Sequence, residues 1–425
     1  MLKLYNSLTR KKEPFVPLRG RDVRMYVCGI TPYDTTHLGH AFTYVSFDVL
    51  VRYLKFKGFK VTYVQNVTDI DDDILKRAKE EGKNWKKLGD FWTKRYLSDM
   101  RALNVLPPTH YVKATGSVTT IIHIIRVLLN KGFAYEKNGN VYFEVNKDKE
   151  YGKLSRFNKE QMLLISKERG NNPNDPLKKD PLDFVLWQRS KAAEPSWDSP
   201  WGPPAGGGRP LRQAQGRPGW HIECSAMINS YLGKQIDPFD ELRVDGEHSR
   251  TIDIHGGGKD LIFPHHESEI AQSEGFTGKK PFVKYWLHTA MVLCDGEKMS
   301  KSLGNLVMIS DLLKRYSANT IRWVLLSHHY RLPWEFDESE FLQAKKFLDQ
   351  VQKAKSLKPG RLGKKISASK YFQRFIHYMD NDLDIPSSLL LITRLAKRIL
   401  REQKRSDVSE LKKTLTALFK VLGFN

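Results

Sequence analysis

Four side chains able to bind a zinc ion are spread through this sequence, each inside a short motif. Cys28 ends the apolar run Met-Tyr-Val-Cys, Cys224 ends Gly-Trp-His-Ile-Glu-Cys, and His265 and Glu269 belong to Phe-Pro-His-His-Glu-Ser-Glu. Two thiolates, an imidazole and a carboxylate form a donor set that suits zinc. Each residue alone has a simpler explanation, because a buried cysteine is usually a small apolar core residue.

A second motif is suited to binding phosphate. His37-Leu-Gly-His40 precedes a predicted helix, where Gly39 allows close approach of a phosphate and the helix start supplies unpaired N–H groups. Two imidazoles one turn apart can donate to phosphate oxygens as negative charge builds up. By itself this turn is a weak signal, since two histidines at a helix start could simply cap it.

A lysine motif lies far downstream, in Lys298-Met-Ser-Lys-Ser302 after the turn Asp-Gly-Glu. Lys298 and Lys301 on a mobile loop could reach pyrophosphate and stabilise its departure. Alone, the motif could be an exposed basic loop. The histidine turn and the lysine motif in this order indicate an enzyme that activates a substrate with ATP beside a thiol-binding metal.

The segments around the histidine turn predict a strand, a helix and a strand. Arg24 to Cys28 is an apolar strand, Leu38 to Lys57 has apolar residues at helical spacing, and Val61 to Val67 is a second strand before an acidic loop at 68–73. Such a unit predicts a parallel sheet, whose ligands lie beyond the carboxyl ends of the strands. Cys28, His37 and Thr68 all fall there.

The remaining chain divides by pattern. Residues 74–135 are predicted mostly helical, 136–200 mixed with a loop at 170–176, 219–302 sheet motifs, and the rest helical. The stretch 394–413 is predicted as a basic amphipathic helix with Leu395, Ile399 and Leu411 on its apolar side. Its charged face is explained equally well by solvent or by contact with RNA.

Two segments have the character of inserted sequence. Residues 203–218 contain Gly-Arg-Pro twice, and 236–253 begin and end with Ile-Asp. Both are polar and rich in turn-forming residues, as tolerated surface loops are. We expect both to be loops without catalytic residues, so His248 is not expected to be a metal ligand.

Composition limits the partners and the compartment. The chain has 425 residues, 70 Lys and Arg against 48 Asp and Glu, and a net charge of +22, which favours a polyanion such as RNA or a phosphate-rich substrate. A basic surface without a partner is the alternative. Three cysteines give no disulfide framework, and there is no signal peptide and no apolar run long enough for a membrane span. We therefore expect a cytoplasmic protein.

These motifs together resemble the class I aminoacyl-tRNA synthetases and, more narrowly, cysteinyl-tRNA synthetase. The resembling blocks are 26–73, 181–201, 219–227 and 253–331. Asp183-Phe-Val-Leu-Trp187, Glu194-Pro-Ser-Trp-Asp-Ser-Pro-Trp201 and Asp253-Ile-His-Gly-Gly-Gly258 are the most specific.

The resemblance implies an α/β fold: a Rossmann-like catalytic domain with a connective insertion, followed by an α-helical bundle. Its first half would span 1–110, the insertion 111–200, the second half with the zinc site and lysine loop 201–305, and the bundle 306–425, with no separate anticodon domain evident. Such an enzyme makes cysteinyl-adenylate from cysteine and ATP with Mg²⁺, then transfers the cysteinyl group to the 3′ end of tRNA(Cys).

The resemblance also assigns site residues. Its zinc ligands would be Cys28, Cys224, His265 and Glu269, with one ion per chain. A metal–sulfur bond to the substrate would reject serine without an editing domain.

For ATP, the family's pattern implies catalytic roles for His37, His40, Lys298 and Lys301. The nucleotide would be held by Gly39, His40, Asp260 and Lys301, where Asp260 could instead hold the substrate amine. Thr68 and Trp220 would border the amino acid. Cys294 lies outside any family motif and is expected to be structural.

Two departures from the family pattern leave an alternative open. The chain stops near the expected end of the bundle, and Ile30-Thr-Pro-Tyr and the leucine of the histidine turn differ from the usual synthetase residues. Both features resemble a sister family, the ligase that joins cysteine to glucosaminyl-inositol in mycothiol synthesis. Glu269, His255 and the charge of +22 favour the synthetase. A non-catalytic RNA-binding relative is a further alternative.

We expect a monomer with tRNA(Cys), cysteine and ATP as partners and no membrane.

Overall fold

In this computed structural model the described residues are 1–34, 36–191, 194–201, 214–233, 251–299, 303–357 and 363–425. Within those ranges the strands are β1 (Lys3–Asn6), β2 (Lys11–Pro14), β3 (Asp22–Ile30), β4 (Lys60–Val67), β5 (His110–Lys113), β6 (Ala134–Lys137), β7 (Asn140–Phe143), β8 (Phe184–Arg189), β9 (Trp197–Ser199), β10 (Ala214–Pro218), β11 (Ile252–Gly258), β12 (Val283–Thr289), β13 (Val292–Cys294), β14 (Glu297–Lys298) and β15 (Trp334–Glu335).

The helices in the same ranges are α1 (Leu38–Phe56), α2 (Asp72–Glu80), α3 (Trp85–Ala102), α4 (Val118–Asn130), α5 (Lys159–Glu168), α6 (Trp220–Tyr231), α7 (Glu267–Thr277), α8 (Ile309–Arg315), α9 (Ala318–Ser327), α10 (Ser339–Ser356), α11 (Ser369–Asp380), α12 (Ile385–Glu402) and α13 (Ser409–Val421). Short 3-10 and π-type turns connect several of them.

The central sheet has the strand order β12-β11-β3-β4-β5, and the four pairings within it are all parallel. Its strands are largely apolar because a parallel sheet is covered on both faces. The predicted strand–helix–strand unit is confirmed as β3, α1 and β4. The carboxyl ends of β3, β4 and β11 therefore lie side by side and face one cleft.

Four strands of the predicted insertion 111–200 form a second sheet together with β10, which lies beyond that segment. Its order is β6-β7-β8-β10-β9 with antiparallel pairing. The expectation that residues 203–218 and 236–253 form loops is wrong at the C-terminal end of each segment. Ala214–Pro218 form β10, which pairs with β8 and β9, and Ile252 and Asp253 begin β11. Residues 202–213 and 234–250, including His248, lie outside the described residues, so the rest of both predicted loops stays a prediction.

Two other predictions about elements were wrong. The segment Gly219 to Cys224 is not a strand: Gly219 is the N-cap of α6, and Cys224 lies on that helix. The basic stretch 394–413 is not one helix, because α12 ends at Glu402 and α13 begins at Ser409. Its predicted apolar side is confirmed, since Leu395, Ile399 and Leu411 are fully buried.

Helices α9 to α13 form the C-terminal region, and a buried ion pair joins it to the central sheet. Arg322 on α9 and Asp48 on α1 have side chains no more than 1% exposed, and the guanidinium bonds one carboxylate oxygen of Asp48. Arg322 also donates to the carbonyls of Leu103 at 2.9 Å and Leu422 at 2.8 Å. The helix that follows the histidine turn is thus fixed to the end of the chain.

None of the helices in the described ranges combines the length and the apolarity that crossing a membrane requires.

Candidate functional site: a cleft that joins a thiol cluster to a phosphate-type turn

The candidate site is a cavity of about 1020 Å³ at the carboxyl ends of the central strands. Its walls include residues from the histidine turn, from the lysine motif and from the predicted insertion. Within the described part of the chain, Glu269 is the one predicted site residue that does not line the cavity. The predicted residues that line it are Cys28, His37, Gly39, His40, Thr68, Trp220, Cys224, Asp260, His265 and Lys298. Lys301 lies outside the described residues, so its predicted role stays a prediction.

The histidine turn begins helix α1. His37 is its N-cap, and the Nδ1 atom of His37 accepts from the backbone N–H of Gly39 at 3.1 Å. The rings of His37 and His40 are 3.8 Å apart between centroids. Nδ1 of His40 is buried without a hydrogen-bond partner among the described residues. A polar atom in that position is available to a ligand in the cleft.

Both imidazoles are neutral at pH 7. Burial, and then the proximity of His40, lower the pKa of His37 to about 2, and burial lowers the pKa of His40 to about 4. Neutral rings can still donate N–H groups to phosphate oxygens, and the charge for an anionic ligand must come from elsewhere.

That positive charge is supplied beside Asp260. Nζ of Lys298 lies 3.4 Å and Nη2 of Arg169 lies 3.0 Å from the same carboxylate oxygen of Asp260. Burial favours the neutral form of Asp260, but the two cations outweigh it and lower the pKa of the carboxyl. The aspartate, the lysine and the histidine turn therefore line a single charged end of the cavity.

The thiol cluster contributes a second group of residues to the same cavity wall. Sγ of Cys28 is 3.9 Å from Sγ of Cys224 and 3.7 Å from Oε1 of Glu269, and Nε2 of His265 is 3.0 Å from Oε1 of Glu269. One donor atom from each of the four residues lies within 4.8 Å of the others, and all four residues are buried. The structure thus brings together the four residues that the sequence motifs suggested.

A second donor set overlaps the first. Cys28 and Glu269 also lie within the same limit of His255 and His266. The first set has three members in the cavity wall, Cys28, Cys224 and His265, whereas the second set reaches the cavity only through the shared Cys28. Nε2 of His255 instead contacts the other oxygen of Glu269 at 2.9 Å, as an outer partner that orients a metal-binding carboxylate would.

The charges of the cluster are compatible with a divalent cation. Burial raises the pKa of the Cys28 thiol well above its usual range, and Cys224 and Glu269 add to this effect. Burial also disfavours the thiolate of Cys224, but its hydrogen bond with Cys28 and the nearby His265 lower its pKa to about 6. Without a cation the Cys28 thiol therefore stays protonated. A divalent cation among these donors would favour its thiolate and would balance the charges of both sulfurs and the Glu269 carboxylate.

Two further predicted residues lie beside the cluster. The indole ring of Trp220 stacks on the imidazole of His265, with centroids 4.4 Å apart. Thr68 is buried, its hydroxyl accepts from Nδ2 of Asn66 at 3.2 Å, and its backbone N–H bonds the carbonyl of Ile30 at 3.0 Å. Both residues line the cavity that the thiols and Asp260 share.

A glycine fixes the helix that carries Trp220 and Cys224. A Cβ atom on Gly219 would overlap the backbone carbonyl of Val185 in β8. The close approach sets the start of α6 against the second sheet, and so places both side chains in the cavity wall.

Sequence reasoning missed several residues of the site. His266 contacts Sγ of Cys28 at 3.4 Å through Nε2 and His288 at 2.8 Å through Nδ1. His266 is the neighbour of His265 in the same motif, so the motif contained a signal for it. Neither Arg169 at the end of α5 nor His288 on β12 has a signal in the local pattern. Only the fold brings Arg169 to the cleft and His288 to His266 behind the cleft wall.

The fold and the two ends of this cleft define a class I synthetase-type catalytic core. Residues 14–346 match the family model described as the catalytic domain of class I (C) tRNA synthetases, and the chain belongs to that family. Solved structures share the fold at low identity. The methionyl-tRNA synthetase of Mycobacterium tuberculosis with methionyl-adenylate is 14% identical with a TM-score of 0.62, covering 94% of this chain and 89% of that one. LeuRS of Agrobacterium radiobacter K84, in a ternary complex with tRNA and LeuAMS, is 11% identical with a TM-score of 0.62, covering 95% and 84%.

Curated relatives specify the member of the class that this chain is similar to. The cysteine--tRNA ligase of Legionella pneumophila (strain Paris) is 48% identical over 100% of this chain and 85% of its own length. The cysteine--tRNA ligase of Dehalococcoides mccartyi (strain BAV1) is 43% identical over 100% of this chain and 86% of its own length.

Proposed function

We propose that this protein is a cysteine--tRNA ligase, which activates cysteine with ATP and transfers it to the 3′ end of tRNA(Cys). The observation that carries the proposal is the cavity itself: a thiol–imidazole–carboxylate cluster at one end and a histidine turn with Lys298 and Asp260 at the other. The relatives that match the whole chain carry this name, which favours tRNA over glucosaminyl-inositol as the acceptor.

The thiol cluster is the side-chain pocket for the substrate. Cys28, Cys224, His265 and Glu269 would hold a zinc ion, which when bound supplies a ligand position that takes a thiolate far better than the hydroxyl of serine. Trp220 closes this pocket by packing on His265, and Thr68 borders the amino acid. Selection of cysteine then needs no separate editing step.

The charged end positions ATP with its Mg²⁺. The backbone at Gly39 and the neutral rings of His37 and His40 approach the phosphates, and Asp260 offers a carboxylate to the ribose or to the substrate amine. Attack of the cysteine carboxylate on the α-phosphorus displaces pyrophosphate, and Lys298, with Lys301 of the same motif, stabilises the negative charge that leaves.

The acceptor is a polyanion, which agrees with the net charge of +22. The exposed lysines and arginines of α12 and α13 are the surface we expect tRNA to contact, since the apolar sides of both helices are buried in the helical region.

The metal part of the proposal is tested with Cys224→Ser and the control Cys294→Ser. Cys294 is only half-buried and lies outside the cluster. Wild type and the control should each retain zinc after dialysis and show cysteine-dependent ATP–pyrophosphate exchange, whereas Cys224→Ser should lose both. Full exchange by metal-free Cys224→Ser would refute the assignment.

The acceptor is tested separately, because both ligases of the resemblance make cysteinyl-adenylate. Purified protein is given radiolabelled cysteine and ATP with either tRNA(Cys) or glucosaminyl-inositol. Charging of tRNA alone supports the proposal, and product formation only with the amino sugar contradicts it.

A further inference from the structure

Asp260 is held from two sides of the cleft by residues of different structural units. Lys298 is the last residue of β14 and the first of the lysine motif, and Arg169 is the C-cap of α5 in the segment between the two halves of the central sheet. Both contact the same oxygen of Asp260, and the three side chains are between 28% and 44% exposed. The bridge is therefore accessible to a ligand that enters the cavity.

The arm that carries Arg169 is well fixed. Helix α5 begins with a capping box between Asn158 and Gln161, and it ends before Gly170, whose φ is +89°. Nδ2 of Asn171 donates to Oγ of Ser166 at 3.1 Å and to the carbonyl of Pro181 at 3.0 Å. Because this turn is tied down on both sides, Arg169 is presented to Asp260 by a defined backbone.

The two cations differ in what else they can do. Lys298 is on the motif expected to reach the phosphates, and its compact ammonium on a flexible stem can change partners. Arg169 is fixed by its turn and has a planar guanidinium suited to a carboxylate. When a triphosphate takes Lys298, Asp260 needs another cation, or its charge would repel the phosphates.

We propose that Arg169 is a positioning residue for ATP: it keeps Asp260 neutralised while Lys298 moves from Asp260 to the phosphates. This inference rests on the proposed function, since it assigns ATP to the same cleft. Through the ion pair between Arg169 and Asp260, the segment that carries α5 becomes part of the nucleotide site.

The experiment compares Arg169→Gln with Lys167→Gln, an exposed lysine on the same helix, by calorimetric titration with ATP in the absence of cysteine. Arg169→Gln should weaken ATP binding about fivefold, the effect of one partly exposed ion pair, and Lys167→Gln should bind as wild type does. Arg169→Lys, which keeps the charge, should restore most of the affinity.

A double-mutant cycle with Asp260→Asn separates positioning from a purely structural role. Once the carboxylate is gone, Arg169→Gln should change ATP affinity less than about twofold, because its partner is absent. An unchanged affinity in Arg169→Gln, or the same fivefold loss in the Asp260→Asn background, overturns the inference. Wild-type protein that binds ATP but lacks cysteine-dependent exchange would instead refute the proposed function, so the two failures are distinct.

Discussion

Replacing Asp48 by alanine should destabilise the protein far more than replacing a surface aspartate. Asp48 lies on α1 with its side chain fully buried, and it is the carboxylate partner of Arg322. It also accepts from the backbone N–H of Leu106 at 2.9 Å and from Nε of Arg52 at 2.8 Å. The substitution therefore leaves a buried guanidinium without its counter-charge and two further donors without an acceptor.

The expected loss of stability follows from the ion pair and the hydrogen bonds that Asp48 makes. Breaking a buried ion pair by removing one partner costs about 3–5 kcal/mol, because the other charge stays buried. The orphaned N–H of Leu106 adds about 1 kcal/mol. We expect Asp48→Ala to lower the free energy of unfolding by about 4–6 kcal/mol. Adding Arg322→Met removes the unpaired charge but also the hydrogen bonds to the carbonyls of Leu103 and Leu422. The double variant should therefore lie within about 2 kcal/mol of Asp48→Ala.

Urea unfolding followed by circular dichroism measures these differences, with Asp311→Ala as the control. Asp311 pairs with Lys314 at 2.7 Å, but the two side chains are 59% and 73% exposed, so Asp311→Ala should leave the free energy of unfolding nearly unchanged. If Asp48→Ala fell within about 1 kcal/mol of that control, the reasoning about the buried charge would be refuted.

Three other outcomes are expected. Because burial lowers the pKa of His40 to about 4, the unfolded chain binds a proton near pH 5 that the native protein does not, so stability falls as pH drops below about 6.5. His40→Asn should remove about 1–2 kcal/mol of the difference in unfolding free energy between pH 7 and pH 5; an unchanged pH dependence would contradict this. Gly219→Ala should abolish cysteine-dependent exchange by displacing α6 from Val185, whereas Gly116→Ala, with open space around it, should be silent. Binding of tRNA(Cys), followed by filter retention, should weaken steeply between 50 and about 200 mM salt, and a salt-independent affinity would argue against a phosphate-dominated interface.

The central unit was predictable because its signals are local. The apolar run of β3, the helical spacing of α1 and the apolar run of β4 each decide an element, and the parallel pairing follows from their order. The four donors of the thiol cluster were also predictable, but through a family resemblance. Their separations along the chain, 196 residues between Cys28 and Cys224 and 241 between Cys28 and Glu269, contain no spacing rule.

The failures have a common physical origin in tertiary context. The short apolar segment that ends at Cys224 suits a strand or a buried helix, and only packing against β8 makes it helical. The basic stretch 394–413 keeps one apolar side through a break at 403–408, so periodicity alone did not show where α12 ends. The contact of Arg169 with Asp260 joins residues 91 positions apart and has no local signal.

Cys28 of the cluster lies on β3 and Cys224 on α6, whereas His265 lies in the turn before α7 and Glu269 in the first turn of α7. The two sulfurs are shielded only when all three pieces have docked, with 5% of Cys28 and 1% of Cys224 exposed. The rate at which an alkylating reagent modifies these thiols during refolding therefore reports when the catalytic core has finished assembling. A refolding chain should stay reactive until segments more than two hundred residues apart have met.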